Sequence, residues 1–161
     1  MKNIVMIIVV LLVGVGLVYY FGENKTGDNK EGEDLQSSIA PLYAYVWQWQ
    51  ESRLDGGEIV RASDPSQFEL RFLEDNRFTS STDCNIFTGN YAIENGTELG
   101  LSEIASTKMA CPEESLEQDY ANLLALTESF TVTTPEGEES EEPMLELNQE
   151  NSKMIFIGVA Q

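Results

Sequence analysis

The sequence contains no histidine, only 2 cysteines, and 9 lysine or arginine residues against 28 acidic ones in 161. Without histidine, Ser-His-Asp and Cys-His catalysis are excluded. His-ligated zinc, copper and haem sites fall with them. A formal charge of -19 repels phosphate, which rules against nucleic acid as a partner. No cofactor, no metal and no catalytic residue is expected. What remains readable is a location, a fold and a family rather than a reaction.

Charge is also missing from one long stretch. Ile4 to Phe21 is 18 residues without a charge, IVMIIVVLLVGVGLVYYF. At about 1.5 Å per residue this makes roughly 27 Å of helix, close to the thickness of a bilayer core. Lys2 precedes the run, while Glu23, Asp28, Glu31, Glu33 and Asp34 follow it. That bias places the N-terminus in the cytoplasm and the remainder outside, periplasmic or extracellular. Residues 1–21 are therefore expected to anchor the chain in the membrane through residues 4–21. A cleaved signal peptide is the rival reading, against which stand the length of the run and the bulky Tyr19-Tyr20-Phe21 where small residues would be needed. Residues 22–38 (GENKTGDNKEGEDLQSS within this span) are polar, glycine-containing and acidic, as in a flexible solvated tether.

Residues 39–161 form the expected folded unit, with 6 basic and 23 acidic residues. Its pattern is mostly of period two. Leu42 to Gln50 alternates, and so does Phe68 to Phe72, with Phe68, Leu70 and Phe72 on one face. Arg77 to Thr82, Phe87 to Glu94, Thr97 to Leu101, Phe130 to Thr134, Met144 to Leu147 and Lys153 to Val159 read as further strands. Asn95-Gly96 is a type I′ hairpin signal. One segment has helical period: Leu116, Tyr120, Leu123 and Leu124 share a face, with Pro112 suited to the first helical position and Glu113 and Glu114 to a positive helix N-terminus. The spacing predicts a helix of roughly 14 residues. The fold class is mainly β (α+β): about eight short strands in a strongly curled antiparallel sheet or barrel-like domain, with one amphipathic helix. The run of Glu136, Glu138, Glu139, Glu141 and Glu142 reads as a solvated loop, with a weak cation site as the alternative.

Cys84 and Cys111 both fall on the outer side of the expected membrane span, where disulfides form. A bridge is the favoured reading, with two reduced buried thiols as the alternative. A catalytic thiol would need an activating base or cation, and Asp83 beside Cys84 works against one.

The residues around these cysteines carry a family resemblance. Phe78 to Tyr91, FTSSTDCNIFTGNY, resembles a motif of a strand, a Cys-Asn pair and a Gly-x-Tyr. Ile104 to Pro112, IASTKMACP, resembles a Thr-(Lys/Arg)-Met-Ala-Cys run that opens a helix, and Trp47-Gln48-Trp49 resembles an opening Trp strand. Together they resemble the META domain family, HslJ-like heat-shock proteins, over roughly residues 43–157. The resemblance implies a small curled β domain exposed in the envelope or secreted, in some cases linked to stress, with no implied catalytic mechanism. It singles out Trp47, Asn85, Gly89, Tyr91, Thr107, Lys108, Met109 and Pro112 as motif residues. Each has a structural reading; the functional one is that Asn85, Thr107 and Lys108 line a recognition surface. The family usually has Gly before the first Cys, where Asp83 stands here. If that position requires a positive φ, Asp adopts it at a cost.

Three functions follow as expectations. The first is a non-enzymatic binding or envelope-stress module, whose partner is an envelope protein or wall component; inhibition of a secreted protease belongs to the same class. The second is a carrier of a small apolar ligand, with Trp47, Trp49, Phe72 and Tyr91 around a pocket. The third is a hydrolase built on paired carboxylates.

Overall fold

A computed structural model describes residues 39–134 and 142–161. The anchor and tether segments, and Glu136 to Glu141 of the acidic loop, lie outside the described residues. No helix among the described residues is long and apolar enough to cross a membrane.

Among the described residues nine strands form one antiparallel sheet: β1 (Tyr45–Arg53), β2 (Ile59–Arg61), β3 (Glu69–Phe72), β4 (Arg77–Ser81), β5 (Ile86–Glu94), β6 (Glu98–Ser106), β7 (Ser129–Thr133), β8 (Met144–Asn148) and β9 (Lys153–Ala160). The order is β2-β1-β3-β4-β5-β6-β7-β8-β9, and β9 returns to pair with β1. The sheet therefore curls until it closes on itself. One edge of β1 carries β9 along its length, from Tyr45↔Ala160 to Arg53↔Lys153. Its other edge is shared, by β3 at Trp47 and Gln48 and by β2 from Glu51 to Arg53. The weakest seam is β6–β7, which is joined in register only at Glu98↔Ser129.

Alternation places the core as read. Phe68, Leu70 and Phe72 are all buried, and so are Trp47 and Trp49 on β1. The Trp49 ring meets Phe68 at 5.1 Å and Tyr120 at 5.4 Å, both edge-on. A register shift between Trp49 and Glu51 brings buried Ser52 within 3.0 Å of the Trp49 Nε1–H, which donates to its hydroxyl. The Trp47 Nε1–H donates to the Leu42 carbonyl at 3.0 Å. Each indole polar atom is thus satisfied inside the core, as burial requires.

The helix α1 (Glu117–Ala125) buries Tyr120 and Leu124 against the sheet. Tyr120 and Ser80 on β4 share a hydrogen bond of 2.8 Å between their hydroxyls. Full burial pushes the Tyr120 hydroxyl pKa up, because a phenolate there would lose its hydration.

Most strands differ from the sequence reading by a residue or two, and four differences are larger. Residues 39–44 are helical, so the first strand begins at Tyr45 instead of Leu42; Leu42 packs into the core from that helical segment. The helix begins at Glu117, not near Pro112, and has 9 residues. Pro112 instead opens a turn in which Ser115 N donates to the Pro112 carbonyl at 3.1 Å. Strand β6 extends to Ser106, beyond Leu101. The ninth strand, β2, has 3 residues, none fully buried, so it offers no apolar alternation to read. The hairpin signal holds: Asn95 and Gly96 have φ of 50° and 80°, as a turn of primed type requires.

Gly89 lies where β5 and β6 slip register between Thr88 and Asn90. A Cβ there would come within 2.6 Å of the Phe78 ring and 2.8 Å of the Ser102 carbonyl oxygen. The ring could shift, but the carbonyl is held in the backbone. Gly89→Ala is expected to destabilise the fold by about 1–3 kcal/mol through overpacking. A urea denaturation midpoint equal to wild type would refute this.

Candidate functional site

The motif residues divide into two places. Trp47, Gly89 and Tyr91 belong to the barrel wall. The Tyr91 hydroxyl donates to the Leu73 carbonyl at 2.7 Å, and burial pushes its pKa up. The remainder converge on the turn between β4 and β5.

That turn is built by Thr82. Its hydroxyl accepts the backbone N–H of Asn85 at 3.0 Å, and Thr82 N donates to the Asn85 carbonyl at 2.9 Å. The local bonds fix Asn85 with its side chain buried. The Asn85 Oδ1 accepts from the Thr107 hydroxyl at 2.7 Å and from Met109 N at 2.8 Å. Its Nδ2 donates to Glu117 Oε1 at 3.0 Å and to the Met109 carbonyl at 3.3 Å. One amide therefore ties together the β4–β5 turn, the segment after β6 and the first turn of α1. Thr107 Oγ1 in addition accepts Ile86 N at 3.1 Å.

Cys84 and Cys111 are joined by a disulfide, with Cα atoms 5.6 Å apart. Both sulfurs lie within 3.4 Å of Asn85 Nδ2. Replacing both cysteines by Ser is expected to cost about 3–4 kcal/mol through the regained freedom of the unfolded chain. Thermal melting with and without the bridge measures it; an unchanged midpoint would contradict the estimate.

Asp83 does not occupy the left-handed region, which among non-glycine described residues holds only Asn76, Asn95 and Glu103. Its carboxylate accepts the Ser115 hydroxyl at 2.7 Å and Leu116 N at 3.0 Å. It satisfies donors just ahead of the helix, which is why the helix starts after that point. The sequence reading missed Thr82, Asp83 and Glu117 as partners of the motif. Asp83 and Glu117 leave no spacing signal, because they act across 32 positions, whereas Thr82 also bonds Asn85 locally, three positions on.

Lys108, Met109 and Pro112 face solvent, and Met109 is 64% exposed. Arg53, Arg61, Arg71, Arg77 and Lys153 each pair with a carboxylate. Lys108 is the basic residue without an ion pair among the described residues. Ile86, which follows Asn85 in the chain, is 56% exposed. These exposed residues flank a hydrogen-bonded turn: Ile86 follows Asn85 in the chain, and Lys108 and Met109 lie on the segment that Asn85 holds.

A closed antiparallel sheet with the helix α1 pinned across a Cys-Asn turn defines a small curled β domain, and comparisons with known proteins name its class. The META domain profile matches residues 42–160, so the chain belongs to the META domain family. No curated protein matches it. Two solved structures share the fold. One is the NMR structure of a protein from Burkholderia xenovorans, with TM-score 0.62 and 17% identity over 78% of this chain and 88% of that one. The other is the crystal structure of a DUF4847 family protein from Bacteroides vulgatus, with TM-score 0.53 and 12% identity over 76% and 98%.

Proposed function

We propose that the chain is a membrane-anchored, extracytoplasmic META domain that works as a non-enzymatic binding module of the cell envelope, HslJ-like and active under envelope stress. The observation that carries this reading is the exposure of Lys108, Met109 and Ile86 beside the hydrogen-bonded Asn85 turn. Binding surfaces concentrate such features: apolar side chains exposed together, held by a scaffold that loses little freedom on contact. The apolar run at Ile4 to Phe21 supports the anchor, and the disulfide agrees with an oxidising compartment. The partner is an envelope protein or wall component. The carrier reading is weaker, because Trp47, Trp49, Phe72 and Tyr91 are packed within one continuous core.

Photo-crosslinking in cells tests the proposal, with the crosslinker at position 109 and a control at exposed position 58. Defined adducts are expected from 109 only, and Lys108→Glu should remove them. Equal labelling from both positions would overturn the reading. So would reproducible turnover of a glycan or peptide library that is lost on a single substitution.

A further inference from the structure

The disulfide does not stand alone. The two sulfurs and the Glu117 carboxylate have ligand atoms all within 4.8 Å of one another. Cys111 Sγ lies 3.5 Å from Glu117 Oε1. In a tetrahedral zinc site, bonds of about 2.3 Å to sulfur and 2.0–2.2 Å to oxygen imply a sulfur–oxygen edge of about 3.6 Å. One edge of such a tetrahedron is already in place.

Groups that would orient those ligands are also present. The Thr82 hydroxyl lies 2.9 Å from Glu117 Oε2, where it can donate, while Asn85 Nδ2 donates to Oε1. The same Nδ2 lies 3.4 and 3.3 Å from the two sulfurs, close enough for the N–H now given to the Met109 carbonyl to turn to one thiolate. Such second-layer hydrogen bonds fix the direction and raise the affinity of metal ligands. Asn85 also holds Thr107 and Met109 without help from the disulfide. Cutting the bridge therefore leaves Cys111 tethered opposite Cys84.

We propose that Cys84, Cys111 and Glu117 form a latent binding site for a thiophilic divalent cation, closed while the disulfide is intact and opened by a dithiol reductant. Cys111 is exposed and Cys84 half-buried, so the reductant attacks the sulfur of Cys111. The S–S bond breaks and Cys84 leaves as a thiolate, which takes up the proton that the attacking thiol gave up. The second thiol of the reductant then releases Cys111 as a thiol and closes its own disulfide. Metal binding replaces the protons of the two cysteines by metal–sulfur bonds, with Glu117 as the third ligand and water as the fourth. Two thiolates and a carboxylate overbalance a divalent charge by one. The strongly acidic domain concentrates cations around itself, which favours loading.

The test uses the full chain in neutral detergent, reduced by a phosphine under argon and titrated with cadmium ion. The oxidised chain and the reduced Cys84→Ser/Cys111→Ser variant serve as controls for weak binding by surface carboxylates. The reduced chain is expected to bind one ion tightly, show the ultraviolet thiolate-to-cadmium absorption and release about two protons per metal near neutral pH. Reduced Glu117→Gln should keep the absorption and bind at least about tenfold more weakly. Equal affinity of oxidised and reduced chains would overturn the proposal. Equal affinity of Glu117→Gln and wild type would do the same, leaving simple dithiol chelation. Loss of the folded tryptophan fluorescence on reduction would also sink it, because the ligands would then not be held in place.

Discussion

Asn85→Ala is expected to lower the free energy of unfolding by about 2–4 kcal/mol. The side chain is buried and makes four hydrogen bonds to three residues in two other segments. A typical bond contributes about 1 kcal/mol net, and one to a charged group about 1.5–3. Removing the amide deletes several at once and leaves Met109 N and a Glu117 oxygen without their partner. Urea denaturation with the disulfide intact measures the loss as a shift in midpoint at unchanged slope. Asn85→Asp separates the causes. It keeps the acceptor toward Thr107 and Met109 but sets a second carboxylate against Glu117, where Nδ2 now stands 3.0 Å from Oε1. Two carboxylates at that distance push one pKa up. The folded state then binds a proton more readily than the unfolded state, so the variant should gain stability relative to wild type as pH falls from 7 toward 5. An Asn85→Ala loss below about 1 kcal/mol would show that the hub is not energetically central.

Trp49→Ala is expected to cost about 3–5 kcal/mol, the range for truncating a large buried aromatic ring. The ring has 0% exposure and touches Phe68 and Tyr120, which hold the β3 entrance and the helix. Truncation also removes the donor that satisfies buried Ser52. Trp49→Phe should lose less, since it keeps part of the volume and an edge-on partner for the neighbouring rings. The comparison is made by urea denaturation; equal losses for the two variants would mean that the Ser52 hydrogen bond, not the ring, supplies the stability.

The strands were legible where one face is buried. Phe68, Leu70 and Phe72 announce β3 because period two is what a half-buried strand must show. β2 was not, because its 3 residues are exposed or only partly buried and pattern follows burial. The helix stripe of Leu116, Tyr120, Leu123 and Leu124 was correct in phase, but its start was not. Pro112 and two glutamates satisfy the local rules for a helix N-terminus, and the carboxylate of Asp83, distant in sequence, settles the boundary elsewhere. For the site, the sequence supplied Asn85, Thr107 and the cysteines through their family motif. It did not supply Glu117, whose role depends on the helix being laid beside the turn. Local chemistry can be read from spacing, while a partner supplied by tertiary packing leaves no period behind.

The closure of β1 against β9 has a consequence for chain connectivity. Tyr45 pairs with Ala160, and the Gln161 side chain donates to the Tyr43 carbonyl at 3.1 Å. The residues entering and leaving the barrel are thus neighbours, and the order in which the strands are threaded is separable from the shape they make. A short link from Gln161 back to the helical segment, with a new opening at the exposed turn around Asn95 and Gly96, should give a circular permutant with the same barrel.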